Sequence, residues 1–245
     1  MSSVAVSRSV GDGIDAANAN WSFGRGIATS FDNHVAKSVP LYHAGHDLIV
    51  SLSDFFIRHE SLAYEIGCST GTLTLKLAER NRHKAGARFI GIDVEPEMIE
   101  VANEKRAKAG VANVDFVVDD VLNADLAPAD LIVAYYVVQF VPPRRRQVLI
   151  DRLYRALNWG GALIMFEKVR GPDARFQDIA TTLYHDWKLE QGYTPQEVMA
   201  KAQSLKGVLE PFSTQGNIDL LKRAGFQDIT TVMKYVCFEG FMAIK

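Results

Sequence analysis

The sequence predicts an α/β fold: a parallel sheet with helices on both faces, ending in an antiparallel hairpin. Three observations carry this reading. Short apolar, strand-like runs alternate with amphipathic helical runs between residues 62 and 167. The first run leads directly into a glycine turn, "EIGCSTGTLT" at 65–74, where ligand loops sit at the carboxyl end of a parallel strand. The chain closes with "GFQDITTVMKYVCFEGFMAIK", two β-rich runs separated by a short turn.

Taken in order, residues 1–20 are small, polar and aperiodic, which predicts a loose arm ahead of a single domain over 21–245. From Trp21 aromatics enter, and "HAGHDLIVSLSDFFIRH" has apolar residues at helical spacing. Strands are expected at 62–66, 88–92, 113–117, 130–136 and 162–167, with helices at 71–82, 95–108 and 143–157 between them. Residues 173–222 interrupt this rhythm with a mostly helical insertion before the terminal hairpin.

Composition narrows the function classes. The chain has 245 residues, is 48% hydrophobic and 23% charged, and carries a formal net charge of −2. That balance argues against a nucleic-acid backbone as the main partner. "PPRRRQ" at 142–147 reads as a solvated helix start, since it lacks interleaved aromatics and a basic background. Cys68 and Cys237 cannot build a disulfide framework, and nothing around them has metal-ligand spacing. No run of about 18 apolar residues and no apolar signal core is present, so a cytoplasmic protein without a membrane partner is expected.

The loop has the makings of a cofactor site. Gly67 and Gly71 permit tight turning, and the helix starting near Thr72 offers free N–H groups. A glycine pair before a helix also serves as a plain turn, so the acidic residues matter. Asp93 ends the second strand, where a carboxylate accepts from ribose hydroxyls, and Asp120 follows the third, within reach of an adenine amino group. Glu65 stands just before the turn, suited to the cationic amino group of a methionine moiety. It would repel a pyrophosphate, which favours a sulfonium cofactor over NAD.

"EIGCSTG", "GIDVEPEMIE", "DDVLNADL" and "VVQFVPPRRRQVLIDRLYRALNWGGALIMFEK" together resemble the class I S-adenosylmethionine-dependent methyltransferases. The terminal hairpin agrees, because dehydrogenases with this type of sheet ordinarily end on another parallel unit. More narrowly, the G-C-S-x-G loop, "SVPLY", "YHDWKLEQGY" and "LLKRAGF" are similar to the carboxy-S-adenosylmethionine synthase family of bacterial tRNA wobble-uridine modification. The likeness runs from Trp21 to the C-terminus. It implies S-adenosyl-L-methionine as cofactor, a Rossmann-like sheet under an N-terminal helical lid, and a homodimer.

The resemblance further implies that Tyr42 closes over the cofactor, while Gly67, Cys68 and Ser69 contact the methionine moiety. Asp93 and Val94 would hold ribose and adenine, Asp120 and Val121 the adenine edge, and Tyr135 the floor beneath the sulfonium; Glu65, Gly71 and Met98 complete the cofactor set. Two departures stand out. The family usually has asparagine at the position of Tyr135. Its arginine for the extra carboxylate falls, counted without a gap, on Ala202, which offers that group no partner. Lys201 is expected to face elsewhere on its helix, and Lys37 takes the place of another family arginine.

Methyl transfer to a small-molecule acceptor, anionic in one version, is therefore the leading expectation. A carboxy-S-adenosylmethionine synthase acting on prephenate is the rival, followed by a non-catalytic S-adenosylmethionine-binding partner and, distantly, an NAD-dependent oxidoreductase. His185 in "TTLYHDWK" is the candidate base or a structural histidine of the lid, with Tyr184 and Tyr135 as the other catalytic candidates. The remaining histidines show no catalytic spacing.

Overall fold

The computed structural model describes residues 7–24 and 26–245. Its centre is a seven-stranded sheet in the order β5-β4-β3-β6-β7-β9-β8. The strands are β3 (Leu62–Ile66), β4 (Arg88–Asp93), β5 (Val114–Val118), β6 (Ala129–Tyr135), β7 (Leu157–Lys168), β8 (Asp228–Tyr235) and β9 (Phe238–Ile244). β3 to β7 run parallel, and β9 lies antiparallel between β7 and β8. The chain moves outward from β3 to β5 and then returns to place β6 on the other side of β3. The carboxyl ends of β3 and β6 thus flank the crevice where such sheets take ligands.

Helices cover both faces: α2 (Tyr42–Leu52), α3 (Thr72–Arg80), α4 (Pro96–Ala109), α5 (Pro143–Ala156) and α8 (Thr214–Ala224). β6 explains why its sequence reads as an unbroken apolar run. Leu131 and Val133 enter the core shared with Ile49, Leu73 and Phe89, whereas Ile132 and Ala134 enter the core shared with Leu149, Leu153 and Phe226. A parallel strand buried on both faces has no polar side to show. Above the crevice lie α1 (Phe31–Ser38) and the insertion helices α6 (Ala174–Glu190) and α7 (Pro195–Ser204). Asp173 caps α6, and Thr194 with Glu197 forms a capping box on α7.

Two sequence expectations change. Within residues 7–20 a short hairpin docks on the domain through a few buried side chains, whereas residues 1–6 of the expected arm lie outside the described residues. β1 (Arg8–Ser9) pairs with β2 (Asp15–Ala16), and Val10, 1% exposed, packs with Ile14, Trp21, Phe31 and Ala200. The segment looks unstructured locally because its apolar partners lie far away in the chain. In "PPRRRQ", Arg144 and Arg145 are exposed, but Arg146 is buried. Its guanidinium donates to the carbonyls of Val141 at 2.8 Å and Gln139 at 2.9 Å and lies over the Phe212 ring.

Candidate active site

The crevice deepens into a cavity of about 460 Å³ that runs from the glycine loop to the insertion. Its first end is the loop itself. Gly67 at φ 66° and Gly71 at φ 73° adopt left-handed backbone, and so does Ser69 at φ 48°. A non-glycine residue pays roughly 1–2 kcal/mol there, and Ser69 is held by its N–H donating to Asp93 Oδ2 at 2.8 Å. Thr70 and Thr72 are tied to Asp32 of α1 and Lys105 of α4, fixing the loop between two helices. Gly71 itself does not line the cavity. Its freedom serves the turn, because a Cβ there would overlap the ring of Phe116.

All the other expected cofactor residues meet at this wall. Asp93 takes the N–H groups of Ser69 and Glu95, one on each oxygen, which leaves lone pairs on both for hydroxyl donors. Burial raises its carboxyl above the usual range. Asp120 accepts from Leu122 N–H at 2.9 Å, and Val94, Met98 and Val121 supply apolar wall. Glu65 is buried, accepts from the Thr74 hydroxyl, and has no cationic partner among the described residues. Burial pushes its carboxyl up to about 8, with the Thr74 bonds only partly offsetting this. A buried carboxylate with spare lone pairs and no counter-ion fits an incoming ammonium, such as the methionine amino group of S-adenosylmethionine.

Tyr42 and Tyr135 close the middle of the cavity. The Tyr135 hydroxyl donates to the Tyr42 carbonyl at 2.6 Å, and burial raises its pKa far above the ordinary phenol value. That hydroxyl's proton is committed to the Tyr42 carbonyl. The hydroxyl rests where Gly45 of α2 leaves room, since a Cβ at 45 would overlap it. His46, 1% exposed, sits 4.5 Å from Tyr42 and 4.8 Å from Tyr135 by ring centroids. Neither of its ring nitrogens has a partner among the described residues, and burial lowers its pKa to about 3, so the ring is neutral.

The far end is lined by lysines. Lys168 at the end of β7, Lys188 of α6 and Lys201 of α7 all line it, together with Tyr184 and His185. No described carboxylate pairs with any of the three lysine amines. Lys168 lies 4.1 Å and Lys188 5.3 Å from the Tyr184 ring centroid, while the Tyr184 hydroxyl is spent on the Ser38 carbonyl at 2.7 Å. Tyr184 thus ties the two lysines to the end of α1. His185 is half-buried, and burial followed by the charges of Lys168 and Lys188 lowers its pKa.

The expected direction of Lys201 is corrected here. Val198, Lys201, Ala202 and Leu205 all line the cavity, the i, i+3, i+4, i+7 face of α7 and its end. Lys201 therefore points at the site beside Ala202 instead of away from it. Lys37 does not line the cavity; it donates to Asp12 at 2.8 Å. Sequence reasoning missed Lys168, Lys188 and His34, which come from β7, α6 and α1 and show no common spacing.

A family model described as a methyltransferase domain matches residues 63–161. The chain is 37% identical over 226 residues to the carboxy-S-adenosyl-L-methionine synthase of Staphylococcus epidermidis, covering 92% of this chain and 97% of that protein. The corresponding enzyme of Campylobacter lari is 35% identical over 92% of this chain and 94% of its own length. Among solved structures, an Aquifex aeolicus S-adenosylmethionine-dependent methyltransferase aligns with TM-score 0.59 at 16% identity, covering 89% of this chain and 97% of that one. Human N-acetylserotonin methyltransferase in complex with S-adenosylmethionine aligns with TM-score 0.57 at 17% identity, over 84% of this chain and 52% of that one.

Proposed function

Since the chain belongs to the carboxy-S-adenosyl-L-methionine synthase family and is an S-adenosylmethionine-dependent enzyme, we propose that it makes the carboxylated cofactor, placing a carboxyl group on the sulfonium methyl. The observation that carries this is the lysine-lined end of the cavity, Lys168, Lys188 and Lys201, facing the cofactor loop across one continuous space. An anionic carboxyl donor and the carboxylate it leaves behind both need cationic partners once water is excluded. Ala202 removes one such partner, and Lys201 beside it supplies another.

In this reading Glu65 holds the methionine ammonium, Asp93 the ribose, and Asp120 the adenine edge. Tyr42 and Tyr135 wall the sulfonium from water. Lys168 and Lys188 orient the donor, for which the family resemblance points to prephenate. His185, its pKa lowered by burial and its lysine neighbours, would accept the proton that the sulfonium methyl loses as its carbon bonds to the carboxyl. Meanwhile the donor's bond to that carboxyl breaks and its hydroxyl leaves. A cytoplasmic homodimer accompanies the same resemblance, and sedimentation of the purified chain tests the dimer.

Methyl transfer to an anionic small molecule is the second reading, favoured by Ala202. One incubation separates the two. Enzyme with S-adenosylmethionine and prephenate should yield cofactor heavier by one CO2. Unchanged cofactor mass, with S-adenosylhomocysteine released against a carboxylate acceptor, would favour methyl transfer. Replacing His185 by asparagine should lower kcat and leave cofactor affinity unaltered.

A further inference from the structure

The turn of the β1–β2 hairpin reaches the cavity through a chain of side chains. Asp12, at φ 54°, accepts from Lys37 at 2.8 Å and from the Tyr193 hydroxyl at 2.9 Å, and meets His34 Nδ1 at 2.8 Å. His34, 3% exposed, turns its other nitrogen to Lys201 Nζ at 2.9 Å. An ammonium has no lone pair, so when Lys201 is charged Nε2 must accept. The single imidazole proton then lies on Nδ1 and is donated to Asp12. In that charged state donation runs one way, from Lys201 to His34 to Asp12. Trp21 lies under the same amine, with 2.8 Å from Nζ to its ring centroid.

A lysine is otherwise a flexible four-carbon chain ending in a point charge. Here one N–H is committed, the amine itself sits over an indole, and the residue lines the cavity next to Ala202. We propose that Asp12 and His34 are positioning residues for Lys201, aiming its ammonium at the carboxylate of the modified cofactor or its donor, so that the N-terminal hairpin is part of the active site. This rests on the reading that the lysine end receives a carboxylate.

The electrostatics are consistent with such a device. Lys188 from α6 and Asp12 from the hairpin act on the charge of Lys201, and His34 from α1 and the Trp21 ring contact its amine. Burial and then Lys188 lower its pKa to about 5, and Asp12 raises it. The amine is thus poised to take up a proton when an anion arrives, and Asp12 makes that uptake less costly. His34 remains neutral, its own pKa lowered to about 4 chiefly by burial and Lys201.

The test compares equilibrium binding of carboxylated and plain S-adenosylmethionine to the full chain and to Lys201→Met, Asp12→Asn, Asp12→Glu and His34→Ala. Losing a charge-assisted bond should cut the preference for the carboxylated ligand about tenfold or more in Lys201→Met. Asp12→Asn and His34→Ala should each cut it several-fold, with plain cofactor binding within about twofold and Asp12→Glu recovering part. A purely structural role would weaken both ligands equally, and that result overturns the proposal, as does an unchanged preference in Asp12→Asn and His34→Ala. A second readout needs no ligand: acetic anhydride labelling of Lys201 against pH, mapped by peptide mass. Removing the Asp12 charge should move the labelling midpoint down by about one pH unit, and an unmoved midpoint refutes the relay. If the wild type shows no preference for the carboxylated ligand, the proposed function fails, and the labelling result alone decides the relay.

Discussion

Glu65→Gln should abolish the pH dependence of S-adenosylmethionine binding. In the ligand-free protein burial lifts the Glu65 carboxyl from 4.5 to about 8; at 1.36 kcal/mol per pH unit, ionising it in place costs about 5 kcal/mol. An ammonium against the carboxylate offsets that cost, so binding and ionisation are coupled. Below about pH 7 the carboxyl must lose its proton before it can pair, and affinity should tighten about tenfold per pH unit, with close to one proton released per cofactor. Calorimetry in two buffers of different ionisation enthalpy measures that release directly. The glutamine variant should release none and should bind about 10- to 100-fold more weakly at pH 7.5, the range for a hydrogen bond to a charged group. The sign also appears in stability. A carboxyl with a raised folded pKa is protonated longer in the folded chain, so the unliganded protein loses stability from this group as pH climbs from 4.5 to about 8. That slope should vanish in the variant. Wild-type affinity and wild-type proton release in Glu65→Gln would refute the assignment.

Lys201→Met should stabilise the protein while impairing it. With a folded pKa of about 5 against 10.5 ordinarily, the amine is protonated only in the unfolded chain near pH 7, a cost of about 5 kcal/mol. Wild-type stability from this group rises with pH, so the variant's advantage in urea unfolding should shrink by about 1.4 kcal/mol per pH unit between about pH 6 and pH 9; an advantage independent of pH would mean the amine is not buried. Gly45→Ala should cost about 1–3 kcal/mol, because the new methyl overlaps the Tyr135 hydroxyl. Combining it with Tyr135→Phe should recover part of the loss, and thermal unfolding of the two single variants and the double variant reads the coupling.

The parts of this protein written as local pattern were legible in its sequence. β3 and β6 are apolar runs because a central parallel strand is buried on both faces, and the glycine turn after β3 follows from the backbone angles that only such residues adopt without cost. Ser69 shows the edge of that legibility. Its left-handed backbone is tolerated through a bond to Asp93, a partner on the next strand. Asp93, Asp120 and Glu65 could be placed at the cofactor end because strand ends in this sheet converge by construction.

The lysine end could not be seen that way. Lys168, Lys188 and Lys201 come from β7, α6 and α7, and only the docking of the insertion over the sheet brings them to one cavity. The phase of α7 decides that Lys201 faces inward; helical periodicity gives the relative directions of its side chains but not which face meets the core. For the same reason a small, polar, aperiodic N-terminus turned out to carry Asp12 into contact with His34 and Tyr193, the latter 181 residues away along the chain. The sequence alone thus determined the sheet and the cofactor loop, because strand burial and turn geometry are set within a few residues. The choice between a neutral and a lysine-lined far end was decided by tertiary packing, since electrostatic surroundings depend on residues that only the folded chain makes neighbours.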